Sequence, residues 1–107
     1  MVKRRDILLV RVFFSDSSEN KLRPCIILSD NKYHKYGYLL VTPITTSIDD
    51  YCLPISKKDV SCILDKNSSA RFDGIIRLHK NQVIKRIGKI TQKFHGRLVN
   101  KIIDTIK

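Results

Sequence analysis

Hydrophobic positions fall in short runs separated by polar turn formers. Ile7-Leu8-Leu9-Val10 followed by Val12-Phe13-Phe14 is a stretch of β-formers broken only by Arg11. It predicts a strand over 5–14, buried on both faces for part of its length. Ser15-Asp16-Ser17-Ser18-Glu19-Asn20-Lys21 is a polar loop, longer than a tight hairpin needs. A second strand is expected over 22–28 and a third over 38–45. Between them Ser29-Asp30-Asn31 stops the strand and caps a short helical turn that Gly37 ends. Further short strands are expected over 51–55, 60–64, 74–78 and 83–90. Pro54 makes the first of these an edge. Gly88 marks a bulge or a close backbone approach in the last.

The period then changes. Phe94, Leu98, Val99, Ile102, Ile103 and Ile106 lie on one face of an α-helix, with Thr91 as its N-cap. Lys93, Arg97 and Lys101 form a basic stripe on the other face. Gly96 inside the helix costs about 1 kcal/mol against Ala, so packing has to hold it. Seven or so short strands and one terminal helix predict a mostly β fold with helical additions. The architecture expected is a small, mainly antiparallel barrel forming one domain over 1–107.

Lys21-Leu22-Arg23-Pro24-Cys25-Ile26-Ile27-Leu28-Ser29 stands out from this pattern. Arg23 is a permanent charge at the entrance of an apolar strand. Pro24 fixes its own φ, pushes Arg23 into an extended conformation and belongs at a strand's first residue or edge. Such an Arg can pair with a nearby carboxylate or hold a phosphate. The third strand ends in Pro43, which places that end at an edge or bulge, and in three successive hydroxyls, Thr45-Thr46-Ser47.

The net charge of +11 is large for 107 residues and is unevenly spread. Between Gly74 and Ile103 there is no Asp or Glu, while Arg77, Lys80, Lys85, Arg86, Lys89, Lys93, Arg97 and Lys101 all fall there. Such a block attracts polyanions. No apolar run approaches the roughly 18 residues of a membrane span. The basic start Lys3-Arg4-Arg5 is not followed by a signal-peptide pattern, so a cytoplasmic protein is expected. Cys25, Cys52 and Cys62 lack CxxC spacing and read as core residues.

His34, His79 and His95 are isolated, and no metal-ligand spacing, phosphate-cradling glycine loop or serine elbow is present. No metal or cofactor is expected. Arg, Thr, Ser and Lys suit phosphodiester chemistry in which the substrate brings its own nucleophile, as RNA does through its 2′-OH. DNA can bind such a surface without being cut.

Five segments, in order, resemble the MazF/PemK (Kid) toxins of toxin–antitoxin systems. They are Arg4-Arg5-Asp6-Ile7-Leu8-Leu9-Val10, Lys21 to Ser29, Val41-Thr42-Pro43-Ile44-Thr45-Thr46-Ser47-Ile48, Gly74-Ile75-Ile76-Arg77-Leu78-His79-Lys80, and Lys85-Arg86-Ile87-Gly88-Lys89-Ile90. The resemblance implies an SH3-like barrel of the MazF/Kid/CcdB kind that forms a homodimer. It also implies a metal-independent endoribonuclease that cuts single-stranded RNA, leaving 2′,3′-cyclic phosphate and 5′-OH ends, and a cognate acidic antitoxin. The family's catalytic Arg falls on Arg23 and its catalytic Thr on Thr45, with Thr46 as a neighbour that can be confused with it. Lys21, Thr46, Ser18, Arg77 and Lys80 are the expected RNA-binding residues. Arg5 replaces a glycine of the family's opening motif, and His79 stands where an acid is common. Two alternatives remain open: a nucleic-acid-binding barrel that does not cut, and a toxin of the same fold acting on a protein, as gyrase poisons do.

Overall fold

The computed structural model describes residues 2–13 and 20–107; residues 15–19 of the expected polar loop lie outside them. The elements run β1 (Asp6–Phe13), β2 (Asn20–Ile27), α1 (Asn31–His34), β3 (Tyr38–Thr45), β4 (Cys52–Pro54), β5 (Ser69–Arg71), β6 (Ile76–His79), β7 (Val83–Lys89) and α2 (Gln92–Ile106). Single 3-10 turns occupy Lys57–Asp59 and Lys80–Gln82. The sheet order is β4-β5-β3-β2-β1-β7, with β6 along the first half of β3. All pairings are antiparallel.

The central strands are buried on both faces, which is why β1 reads as an almost unbroken apolar run. Ile7, Ile26 and Ile44 point to one side and pack with Phe72, Ile90 and the buried face of α2, Phe94, Leu98 and Ile102. Leu8, Val10, Cys25, Ile27, Leu39 and Val41 point to the other side and close around Leu78 of β6. In β3 the alternation changes phase at Val41 and Thr42, both buried. There β3 passes from pairing β6 to pairing β5. Thr91 caps α2 by accepting from the Phe94 N–H at 3.1 Å. Lys93, Arg97 and Lys101 are exposed, as the stripe predicts. Ile103 and Ile106, placed on the apolar face by their spacing, are exposed as well. The sheet meets α2 only as far as Ile102.

Three expectations are corrected. The sheet does not close into a barrel: among the described residues no strand pairing joins β4 and β7, the ends of the path, and the segment after β4 meets the end of β7 through an isolated bridge from Val60 to Ile90 and the bonds between Ser61 and Lys89. The strand expected over 60–64 is irregular. Asp59, buried, accepts from the Ser56 N–H and hydroxyl, and its carbonyl accepts from the Thr91 N–H. This turn leaves Val60 to Cys62 against the end of β7 without a strand ladder and lets Ile63 project outward, 98% exposed. The sequence pattern predicts no strand over 69–71; β5 forms there because it fills the gap between β3 and β4.

Two glycine-related positions bear on the frame. A Cβ on Gly88 would lie 2.7 Å from the Cys62 Cβ, so the close approach foreseen there is real. Arg5, in place of the family's glycine, adopts φ 77°, a left-handed conformation that disfavours any residue with a side chain. It is held there by its N–H to the Ile27 carbonyl, by its carbonyl to the Ile90 N–H and by its guanidinium to the Ile90 carbonyl.

Candidate functional site

The site begins where β2 and β3 part. Cys25, Ile26 and Ile27 pair with Pro43, Thr42 and Val41. Upstream of Cys25, β2 keeps only its β1 partner: Pro24 lies opposite Leu9 and Arg23 opposite Val10. Pro24 therefore lies inside a central strand, yet on a stretch whose β3-facing edge is open. A residue without an N–H is accommodated there. Downstream of Pro43, β3 turns to β5, with Ile44 opposite Ala70 and Thr45 opposite Ser69. Carrying the β2–β3 register two residues past Cys25 and Pro43 sets Arg23 across from Thr45 on the same face of the sheet.

The gap between the diverging strands is a cleft of about 420 Å³ lined by Leu22, Arg23, Pro24, Ile44, Thr45, Thr46, Leu64, Asp65 and Ser68. Arg23 and Thr45, the two catalytic residues expected from the sequence, share it with Thr46. Arg23 is half-buried and engaged in an interaction with its surroundings. Its charge reaches Cys25, whose thiol is pushed up to about 12 chiefly by burial and is drawn down only in part by Arg23. Cys25 is thus a neutral core residue, as its apolar context predicts.

Thr45 Oγ1 accepts from the Ser47 N–H at 3.1 Å. The bond turns the chain sharply after β3 and leaves the threonine O–H proton available to an acceptor in the cleft. The loop is tied down again at Asp49, which accepts from the Tyr51 N–H at 2.8 Å and pairs with Arg71. Arg71 also pairs with Asp73 at 3.0 Å, and its carbonyl accepts from the buried Thr42 hydroxyl. The Arg71 hydrogen bond, followed by that of the Tyr51 N–H, holds the Asp49 carboxyl below the usual carboxylate range.

The other expected RNA-binding residues do not line the cleft. Arg77 lies opposite Leu40, five residues and about 17 Å along β3 from Thr45. Its guanidinium is 3.6 Å from the centre of the Tyr38 ring, whose edge meets His79. Lys80 follows, exposed, at the start of a 3-10 turn. Lys21 is in β2 by its backbone, opposite Val12, and Ser18 lies outside the described residues. No histidine lines the cleft. His34 is bonded to the Ser29 hydroxyl, His79 caps the turn after β6, and His95 is partly buried, its pKa lowered by that burial and then by Arg4 and Arg5. Among the described residues no group of His, Cys, Asp and Glu is arranged to hold a metal ion, and no helix is long and apolar enough to cross a membrane.

The wall formed by Leu64, Asp65 and Ser68 was not foreseen. The same three residues border a second, larger cavity of about 800 Å³ that runs along residues 55–68. In the sequence, Asp65-Lys66-Asn67-Ser68-Ser69 signals a turn and nothing more. Only the Thr45–Ser69 pairing brings that turn to the cleft.

The model of the PemK-like, MazF-like toxins of type II toxin–antitoxin systems matches residues 3–106. Solved structures share the fold at low identity. An endoribonuclease in complex with its cognate antitoxin, from a Mycobacterial species, is 14% identical with a TM-score of 0.80, over 99% of this chain and 95% of that one. The Mycobacterium tuberculosis toxin MazF-mt6 is 20% identical with a TM-score of 0.76, over 95% and 96% of the two chains. A MazE–MazF structure from Deinococcus radiodurans is 12% identical with a TM-score of 0.79, over 98% and 95%. No curated protein sequence matches the chain.

Proposed function

The chain belongs to the PemK-like, MazF-like toxins of type II toxin–antitoxin systems, and from that membership we propose that it is a metal-independent endoribonuclease cutting single-stranded RNA. The observation that supports this reading is the cleft in which Arg23, Thr45 and Thr46 meet. The ribose 2′-oxygen attacks the adjacent phosphorus, the bond from phosphorus to the 5′-oxygen breaks, and the ends are a 2′,3′-cyclic phosphate and a 5′-OH. Charge develops on the non-bridging oxygens during this displacement. A guanidinium fork is suited to it by geometry and by its permanent charge. Arg23 carries that role. Thr45, its Oγ1 already accepting from the Ser47 N–H, donates its proton to a phosphate oxygen and orients the phosphate.

Thr46 contacts the RNA in the cleft, and Lys21 and Ser18 are further RNA contacts. Arg77 and Lys80 hold it further along the sheet. A guanidinium stacked on one face by Tyr38 keeps its other face for a base. The partners are single-stranded RNA, a cognate acidic antitoxin that covers the basic surface, and a second copy of the chain. The compartment is the cytoplasm.

The test is incubation of the purified chain with single-stranded RNA in EDTA. Fragments ending in cyclic phosphate, and their loss in Arg23→Ala, are expected. Intact RNA bound in a salt-sensitive manner would mean a nucleic-acid-binding domain that does not cut.

A further inference from the structure

Transfer of the 2′-hydroxyl proton needs an acceptor. Neither Arg23, which cannot be deprotonated in a protein, nor a threonine hydroxyl supplies one. No histidine lines the cleft. Among the nine described residues that line it, one bears a carboxylate: Asp65. Resting on the ribonuclease reading above, we infer that Asp65 is the general base of the cleavage.

The turn that carries Asp65 is closed through its backbone. The Asp65 carbonyl accepts from the Ser68 N–H at 3.2 Å and from the Ser68 hydroxyl at 2.7 Å. The fold of the turn thus does not use the carboxylate, which is exposed and makes no hydrogen bond or ion pair among the described residues. Ser68 itself is buried, and its carbonyl accepts from the Ile55 N–H at 2.9 Å. The next residue, Ser69, pairs with Thr45 and with Pro54. Asp65 and Thr45 therefore ride on one hydrogen-bonded unit, opposite Arg23 on β2. That arrangement puts an anion-stabilising fork, a phosphate-orienting hydroxyl and a proton acceptor on three sides of one cleft.

In the step, the 2′-O–H proton passes to an Asp65 carboxylate oxygen while the oxygen's electron pair forms the new bond to phosphorus. The bond to the 5′-oxygen breaks with its electron pair on that oxygen, which takes a proton from water. Asp65 returns its proton to solvent, so nothing is oxidised, reduced or consumed. Among the described residues that line the two cavities, the charged groups besides Asp65 are Arg23, Lys66 beside it in the turn and Lys57 in the larger cavity. All are cations whose charge is constant over the acid range in which a carboxylate titrates.

Single-turnover cleavage of single-stranded RNA by the full chain in EDTA, followed from acid to alkaline pH, tests the assignment. Asp65→Asn should slow cleavage by roughly 10²–10⁴-fold, remove the acid limb of the wild-type profile and leave RNA affinity equal or tighter. Asp65→Glu should restore part of the rate together with the limb. Thermal unfolding of Asp65→Asn should match wild type, because the backbone carbonyl holds the turn. Wild-type cleavage matched or exceeded by Asp65→Asn, with the acid limb intact, overturns the inference and leaves the ribonuclease reading standing. RNA left intact by the wild-type chain overturns both.

Discussion

Arg23 and Thr45 face each other across a register that the two strands have just abandoned. Cys25 pairs with Pro43, and two residues further along each strand Arg23 and Thr45 flank the open cleft. The guanidinium and the hydroxyl are held by strands that are hydrogen-bonded at one end and splayed at the other. Arg23→Lys should therefore fail to rescue Arg23→Ala, because an ammonium cannot make the two parallel bonds of a guanidinium fork. Both variants should lose about 10²–10³-fold in single-turnover RNA cleavage. A Lys variant cutting at the wild-type rate would show that only charge is needed.

Thr45 and Thr46 can be told apart by what holds them. Thr45 Oγ1 accepts from the Ser47 N–H, whereas Thr46 is exposed. Thr45→Ser should keep most activity, Thr45→Val should lose about 10–10²-fold for want of one donor to the developing charge, and Thr46→Val should change the rate far less. Rates of cyclic-phosphate formation by the three variants measure this. The reverse ranking would transfer the role to Thr46.

Arg5 at φ 77° is a strained substitute for glycine. The left-handed conformation costs a side-chain-bearing residue about 1–2 kcal/mol, and the 3.3 Å, part-buried bond from its guanidinium to the Ile90 carbonyl returns about 0.5 kcal/mol. Arg5→Gly should raise stability by about 0.5–1 kcal/mol in urea denaturation. Arg5→Ala keeps the strain without the bond and should fall below wild type. Arg5→Gly below wild type would show that the guanidinium contact outweighs the backbone.

Asp49 contributes to acid sensitivity. Its folded carboxyl is held below its unfolded value by Arg71 and the Tyr51 N–H. The stabilisation is present above the ordinary carboxylate range and is lost as pH falls through the folded value. Asp49→Asn should flatten this part of the melting-temperature profile below about pH 4 while leaving the rest of the profile in place. An unchanged acid slope would assign it to other carboxylates.

Much of the frame was legible from local pattern. β3 spans Tyr38–Thr45, as its run of β-formers predicts, and α2 begins at the N-cap Thr91 that a 3.6-residue period requires. The run over 60–64 shows that β-forming residues are not enough: after the Asp59-capped turn the segment meets β7 through one bridge and the Ser61 bonds, and no strand forms. β5 was illegible for the opposite reason. Ser69-Ala70-Arg71 carries no alternation and becomes a strand only because Thr45 and Leu53 offer it two edges.

The sequence by itself determined the apolar strands, the amphipathic helix, the basic C-terminal third and the Arg23-Pro24 strand entrance, since each is written in neighbouring residues. It also carried the family likeness through Arg23 and Thr45. Only the tertiary structure decided that β2 and β3 part beyond Cys25 and Pro43, that the sheet stays open between β4 and β7, and that Asp65 comes to the cleft. The physical reason is that side-chain periodicity is a property of one segment. A cleft is made where two ladders end and a third segment is drawn in by pairing, and register between distant strands has no signature within any one of them.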